Sequence, residues 1–159
     1  MGRVRGLLAV IAATAVVLSG CSIDIPVDPH GTLDRVRDGS LRVGVSHNPP
    51  WTDITEGRSP SGIEPELIVQ FAEELDAEIE WTEDGESTLA IALERGELDV
   101  VIGGLLENTP WTARAAVTRP YAETTGDGGR SEKHVMLVRK GENAFLVELE
   151  EFLDREGRR

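Results

Sequence analysis

The stretch Leu41-Arg42-Val43-Gly44-Val45-Ser46-His47-Asn48-Pro49-Pro50-Trp51 decides how the chain is read. Its first five residues alternate large apolar side chains with polar or small ones, the pattern of a strand. His47-Asn48-Pro49-Pro50 ends the run, because proline removes a backbone donor and drives the residue before it out of the α region. Further on, Glu64-Pro65 is predicted to open a helix, with proline at the first helical position. Leu67, Ile68, Phe71 and Leu75 form one apolar stripe there, while Glu66, Glu73, Glu74 and Asp76 face water.

The same alternation of patterns continues toward the C-terminus. Glu78 to Thr82 reads as a half-buried strand. Ser87 is expected to cap a helix carrying Leu89, Ala92 and Leu93, which Gly96 ends. Asp99 to Ile102 is a short apolar strand expected to stop at Gly103-Gly104, and Lys133 to Arg139 supplies a fourth. Asn143 is expected to cap a last helix whose Phe145, Leu149 and Phe152 share a face. Strands alternating with helices imply an α/β lobe with a mostly parallel sheet, flanking helices and right-handed crossovers. The span from Glu107 to Arg130 has no clear period, and Gly126-Asp127-Gly128-Gly129 reads as a turn or a flexible joint.

Upstream of the quoted stretch the composition changes. The first twenty of the 159 residues contain Arg3 and Arg5, no acid, and an apolar run from Leu7 to Leu18. This reads as a secretory signal, too short for a comfortable spanning helix. Without it, 14 bases face 29 acids, a formal charge of −15. Such a surface repels phosphate backbones, so nucleic acid is not expected as a partner, and it argues against docking on anionic lipid through a basic patch. Ser22 to Pro29 alternates acids and prolines with apolar residues and reads as a tether. The expected organisation is therefore a signal over 1–20, a tether over 21–31 and one lobe over 32–159.

In an open α/β sheet, ligands bind beyond the carboxyl ends of the strands. Those ends carry Asn48 and Trp51 after the first strand, and Gly103, Gly104 and Thr109 after the third. The Gly103 and Gly104 N–H groups can approach a carboxylate closely, or the pair can simply form a tight turn. Trp51 can cover a ligand or lid the first helix. Arg114 can clamp an anion or form a surface ion pair. Glu86, beside Glu83 and Asp84, either supports the start of a helix or forms a cation subsite. His47, Glu64 and Glu107 are the only candidates for acid–base work. His30, His47 and His134 are scattered, and no metal-ligand spacing, P-loop or nucleophile elbow is present, so neither an enzyme nor a cofactor is expected.

Two resemblances extend this reading. Leu18-Ser19-Gly20-Cys21 resembles the lipobox of bacterial lipoproteins, which implies acylation of Cys21 and an extracytoplasmic, membrane-anchored protein. Leu41 to Val45, Pro49-Pro50-Trp51, Gly62-Ile63-Glu64-Pro65-Glu66-Leu67, Leu93 to Val100 and Arg119-Pro120-Tyr121 together resemble family 3 of the solute-binding proteins of ABC importers. That resemblance implies a periplasmic-binding-protein-like fold, a small polar solute and an ABC permease or receptor as partner. Family members have two lobes, and here the second is missing between Thr125 and Ser131. The expected lobe is thus a main part over 32–125, a bridge over 126–132 in place of the second lobe, and a hinge strand and C-terminal helix over 133–159. The family's Thr-x-x-Arg appears as Thr109-Pro110-Trp111-Thr112, with Arg114 two residues later, and an aromatic often found before the second helix is Glu86. A half-site for an amino-acid-like or cationic solute is one expectation. A one-lobed interaction or regulatory lipoprotein without a small ligand is the other.

Overall fold

The computed structural model describes residues 27–157, so the signal, Cys21 and most of the tether lie outside the described residues. In chain order the elements are α1 (Thr32–Val36), β1 (Ser40–Val45), α2 (Ile63–Glu74), β2 (Glu78–Glu83), α3 (Glu86–Arg95), β3 (Val100–Leu106), β4 (Ala115–Val117), β5 (Ala122–Thr125), β6 (Ser131–Arg139) and α4 (Asn143–Glu156). Six strands form one sheet in the order β2-β1-β3-β6-β4, with β5 also on β6. The sheet is parallel through β2-β1-β3, where α2 and α3 make the connections. β6 joins antiparallel to β3 and carries β4 and β5 antiparallel on its other edge. The expected α/β lobe with parallel strands at its centre and flanking helices is present.

Both faces of the sheet are covered, which is why β3 is a continuous apolar run. Val43, Val45, Val100, Ile102, Met136 and Val138 face α2 and α4, where Phe71 meets Phe145 and Phe152 at ring-centroid distances of 5.9 and 5.3 Å. Val101, Leu105, Val135 and Leu137 face Leu89 and Leu93 of α3. The α3 side of β1 has no room for a side chain at its fifth position, Gly44. A Cβ on Gly44 would stand 2.7 Å from the Leu98 side chain. At the base of the sheet, buried Asp99 accepts hydrogen bonds from the Arg42 guanidinium at 2.7 Å and from the Arg42 N–H at 3.0 Å, and it also pairs with Arg35. That carboxylate ties the start of β3 to β1 and α1.

Several local expectations change. Pro65 is the third residue of α2, after Ile63 and Glu64, still within the first turn, where its missing N–H costs little. Ser87 lies inside α3, whose N-cap is Gly85, and Asn143 is the first residue of α4 after Glu142. β3 does not stop at the glycine pair but continues to Leu106, with a register shift against β6 between Val101 and Leu105. Sequence periodicity cannot show such an irregularity, because the bulge is fixed by the partner strand. The region without a period holds β4 and β5, which gain their pairing only from β6.

The helices at the two chain ends cap one another. The Asp28 carboxylate accepts N–H bonds from Ala144 at 2.7 Å, Phe145 at 3.1 Å and Leu33 at 2.8 Å, covering the N-termini of α4 and α1. In return, the Glu142 carboxylate accepts the Thr32 N–H at 3.1 Å and meets His30 Nδ1 at 2.6 Å. Asp28 and His30, read in the sequence as the end of a tether, are therefore stitched to the lobe.

Candidate ligand-binding site

The end of the sheet beyond β1 and β3 is organised around a carboxylate that belongs to the chain. Glu64, in the first turn of α2, is fully buried. Its Oε2 accepts the N–H groups of Gly103 at 2.7 Å and Gly104 at 2.8 Å, and its Oε1 accepts the Tyr121 hydroxyl. The glycine N–H pair does hold a carboxylate, but that acceptor is internal. Burial raises the Glu64 pKa above the ordinary carboxylate range, and the hydrogen bonds from Tyr121, Gly104 and Gly103 only partly offset it. The Tyr121 hydroxyl is driven far above its usual range by burial and by the charge of Glu64.

The loop after β1 closes over the same glycines. Asn48 Nδ2 donates to the Gly103 carbonyl at 2.8 Å, and the Thr52 hydroxyl donates to the Ser46 carbonyl. Gly104 has φ +65°, and a Cβ there would stand 2.6 Å from both the Asn48 amide and the Trp51 ring, so only glycine fits beneath this loop. Half-buried Trp51 stacks on His134 at 3.7 Å and meets Tyr121 edge-on at 6.2 Å. His134 Nε2 lies 2.9 Å from the Thr124 hydroxyl, while Nδ1 lacks a hydrogen bond of normal geometry among the described residues. Burial lowers the His134 pKa, offset in part by the backbone of Gly104 and the charge of Glu132.

The other candidates sit on the rim. The Thr109 hydroxyl accepts the Trp111 N–H at 3.5 Å at the start of a short 3-10 turn over Pro110–Ala113. Trp111 Nε1 donates to Glu86 at 3.2 Å, and Arg114 pairs with Glu94 of α3 at 2.5 Å. Of the three acid–base candidates, exposed His47 accepts the Ile54 N–H at 3.2 Å, Glu64 is the locked internal carboxylate, and Glu107 stands 3.7 Å from Lys133. No group of three or more His, Cys, Asp or Glu able to hold a metal exists among the described residues.

A cleft of about 590 Å³ opens beside these residues, lined by 106–108 from the end of β3 and 130–133 from the start of β6. None of the residues singled out in the sequence as ligand-binding lines it. Tyr121 and His134 were also missed as members of the Trp51 cluster. The parity of β6 carries the signal for His134, since it shares a face with Met136 and Val138.

A model of the bacterial extracellular solute-binding proteins, family 3, matches residues 41–156. The chain belongs to that family. Among solved structures, the arginine-bound form of domain 1 from TmArgBP is 25% identical, with a TM-score of 0.67, covering 77% of this chain and 97% of that one. A point mutant of the same arginine-bound domain gives a TM-score of 0.70 at 25% identity, over 80% of this chain and 99% of that one. An ancestral cationic amino acid solute-binding protein shares the fold, with a TM-score of 0.69 at 14% identity, over 80% of this chain and 94% of its own. Curated relatives carry a different name. The membrane-bound lytic murein transglycosylase F of Vibrio cholerae is 35% identical over 96 residues, which is 59% of this chain and 18% of that protein. The Aliivibrio fischeri protein of that name is 31% identical over 98 residues, 60% and 19% respectively. The match thus spans less than a fifth of these relatives. The arginine-bound domain 1 of TmArgBP aligns with this chain over nearly the whole of its own length.

Proposed function

We propose that this family 3 chain is a membrane-anchored extracytoplasmic solute-binding protein of the ABC-importer type, with a small polar solute, amino-acid-like or cationic, as its ligand. Support for a one-lobed binder comes from the isolated arginine-bound domain 1 of TmArgBP, which aligns over nearly its whole length with this chain. That structure is of domain 1 alone in its arginine-bound form. The strongly acidic charge of this chain favours cationic or zwitterionic solutes over anions. The lipobox-like Leu18 to Cys21 supplies the anchor, and an ABC permease or receptor is the partner that such a protein serves.

A thermal-shift titration with amino acids, polyamines, quaternary amines and simple sugars tests the reading. A selective, saturable rise in melting temperature is the expected result, because a ligand of the native state stabilises it by mass action. A cooperative melt that no solute moves at millimolar concentration would sink it. A second reading, an interaction or regulatory lipoprotein without a small ligand, draws support from the relatives named lytic murein transglycosylase F, in which the matching stretch is a minor part of a longer protein. Self-association at low micromolar concentration, with no ligand-induced shift, is what that reading expects.

A further inference from the structure

The two ends of the sheet differ in charge. The end that carries Trp51 and Glu64 also holds Glu83, Asp84, Glu86 and Glu107, around the ends of β2 and β3. At the base, where β1 and β3 start and β6 ends, cations gather instead. Among the described residues Arg58, Arg95, Arg130, Arg139 and Lys140 have no carboxylate partner. Three of these, Arg95, Arg139 and Lys140, stand at the base, where α3 and β6 end. Arg139 lies over Gly96, where a Cβ would stand 2.8 Å from its guanidinium carbon. Arg42 Nη1 donates to the Gly96 carbonyl at 2.8 Å, and Arg42 and Arg35 share the single buried carboxylate of Asp99. Glu94 is taken by Arg114, and Glu142 by His30 and Thr32. Glu97 is the exposed acid on this turn and pairs with none of the three.

The course of the chain says what lies opposite this face. Asn143, three residues after Lys140, donates its N–H to the Val27 carbonyl at 3.2 Å. Val27, the first described residue, is 63% exposed. Cys21 is six residues earlier, and even fully extended six residues span at most about 20 Å. An acyl chain on Cys21 therefore keeps the Lys140 corner of the lobe within that distance of the headgroups. Gathered like charges repel unless an anion faces them. The formal charge of −15 opposes such docking only if the lobe acts as one charged body. Screening confines each charge to about 8 Å at physiological ionic strength, and β1, with six residues, is already about 20 Å long. The acids at the far end are thus screened from a bilayer at the base.

We propose that the base of the lobe, through Arg95, Arg139 and Lys140, docks on the anionic phospholipid headgroups of the bilayer that holds the Cys21 anchor. The docked lobe presents its Trp51 and Glu64 end away from the membrane. The proposal rests on the anchor in the reading above. The headgroup, and not a soluble phosphate, is the occupant, because the chain leaves the lobe toward its anchor beside this face.

Lys133 and Lys140 are the only lysines of the sequence and flank β6 at opposite ends, so acetylation of amines reports both ends of the sheet at once. The full chain, purified from membranes of a bacterial host, is reconstituted into phosphatidylcholine vesicles, without or with phosphatidylglycerol as about a third of the lipid. Vesicles recovered by flotation are then acetylated. Lys140 is expected to react at least about fivefold more slowly with phosphatidylglycerol, Lys133 equally in both, and about 0.5 M NaCl to cancel the difference. Arg95→Gln, an exposed change that leaves the packing at Gly96 intact, should lose part of the protection. Arg95→Gln with Arg139→Gln should lose it all while the chain still floats, and Arg58→Gln, in the loop after β1, should lose none. Equal Lys140 rates in the two kinds of floating vesicle, or protection that the double variant keeps, would overturn the docking and leave the anchor standing. Inorganic phosphate that protects Lys140 in phosphatidylcholine vesicles as well as phosphatidylglycerol does would overturn the headgroup as occupant. Flotation with phosphatidylglycerol vesicles alone, with Lys140 protected, would overturn the anchor and support the basic face. A chain that floats with neither would overturn both.

Discussion

Glu64 and Glu142 are both buried glutamates that accept backbone N–H groups from a distant segment, yet their carboxyl pKa values move in opposite directions. Glu64 lies between α2 and β3, fully enclosed, and its three donors are neutral. Desolvation wins there, and the pKa rises. Burial also pushes Glu142 upward, but the His30 side chain, the Thr32 side chain and both backbone N–H groups outweigh it and hold the pKa below normal. The Glu142 site borders solvent, since the His30 side chain beside it is 54% exposed. A similar number of hydrogen bonds therefore stabilises the ion at the edge of the fold and fails to do so in its centre. The decisive variable is how much water and how many charge-bearing neighbours remain.

The comparison breaks most visibly on truncation. Glu64→Ala leaves two buried N–H groups and a phenol without an acceptor, and should cost about 4 kcal/mol in chemical denaturation. Formate or acetate should restore part of the loss by occupying the vacated position. A cost below about 1 kcal/mol would show that water replaces the carboxylate freely and that the site is not dry. At the edge, Asp28→Ala removes the shared cap of α1 and α4 and should cost about 2 kcal/mol by the same measurement. Equal costs for the two substitutions would erase the distinction between centre and rim.

Stability measured against pH sharpens it further. The raised pKa of Glu64 means that the folded protein holds this proton more tightly than the unfolded chain. Its contribution is present below the ordinary carboxylate pKa and is lost as pH rises through the raised value. The lowered pKa of Glu142 works the other way, with its contribution present above the ordinary carboxylate pKa and lost as pH falls through the lowered value. Glu64→Gln should therefore flatten the decline on the rising side, and Glu142→Gln the decline on the acid side. Identical profiles for the two variants would contradict the assignment.

The smallest effect concerns the aromatic stack. Burial holds the His134 pKa below normal, so its neutral form should persist in the fold to lower pH than in an exposed histidine. Protonation against the Trp51 ring should quench its emission in acid, and His134→Phe should remove that titration. A midpoint above the ordinary histidine range would reverse the sign expected from burial.

Much of the lobe was legible in its residues. Alternation marked β1 and β2, the stripe of Leu67, Ile68, Phe71 and Leu75 marked α2, and Gly96 does end α3 in the left-handed conformation that suits glycine. The candidate site was legible only in part. Asn48, Trp51, Glu64, Gly103 and Gly104 do assemble, because a strand end and the next helix start are brought together by the crossover. That Glu64 itself fills the glycine N–H pair could not be read, since the two lie 39 and 40 residues apart. Nor could the pairing of Arg114 with Glu94, which depends on how the 3-10 turn meets α3. His134 looked isolated because its partners Trp51 and Thr124 come from separate segments.

The sequence by itself determined the longer strands and helices and the acidic composition, because periodicity and composition act over a turn of helix or a few residues of strand. Only the tertiary structure decided which carboxylate meets which donor and where β3 shifts its register. Those outcomes depend on contacts between distant segments, whose distances are set by packing and are not written in any local pattern.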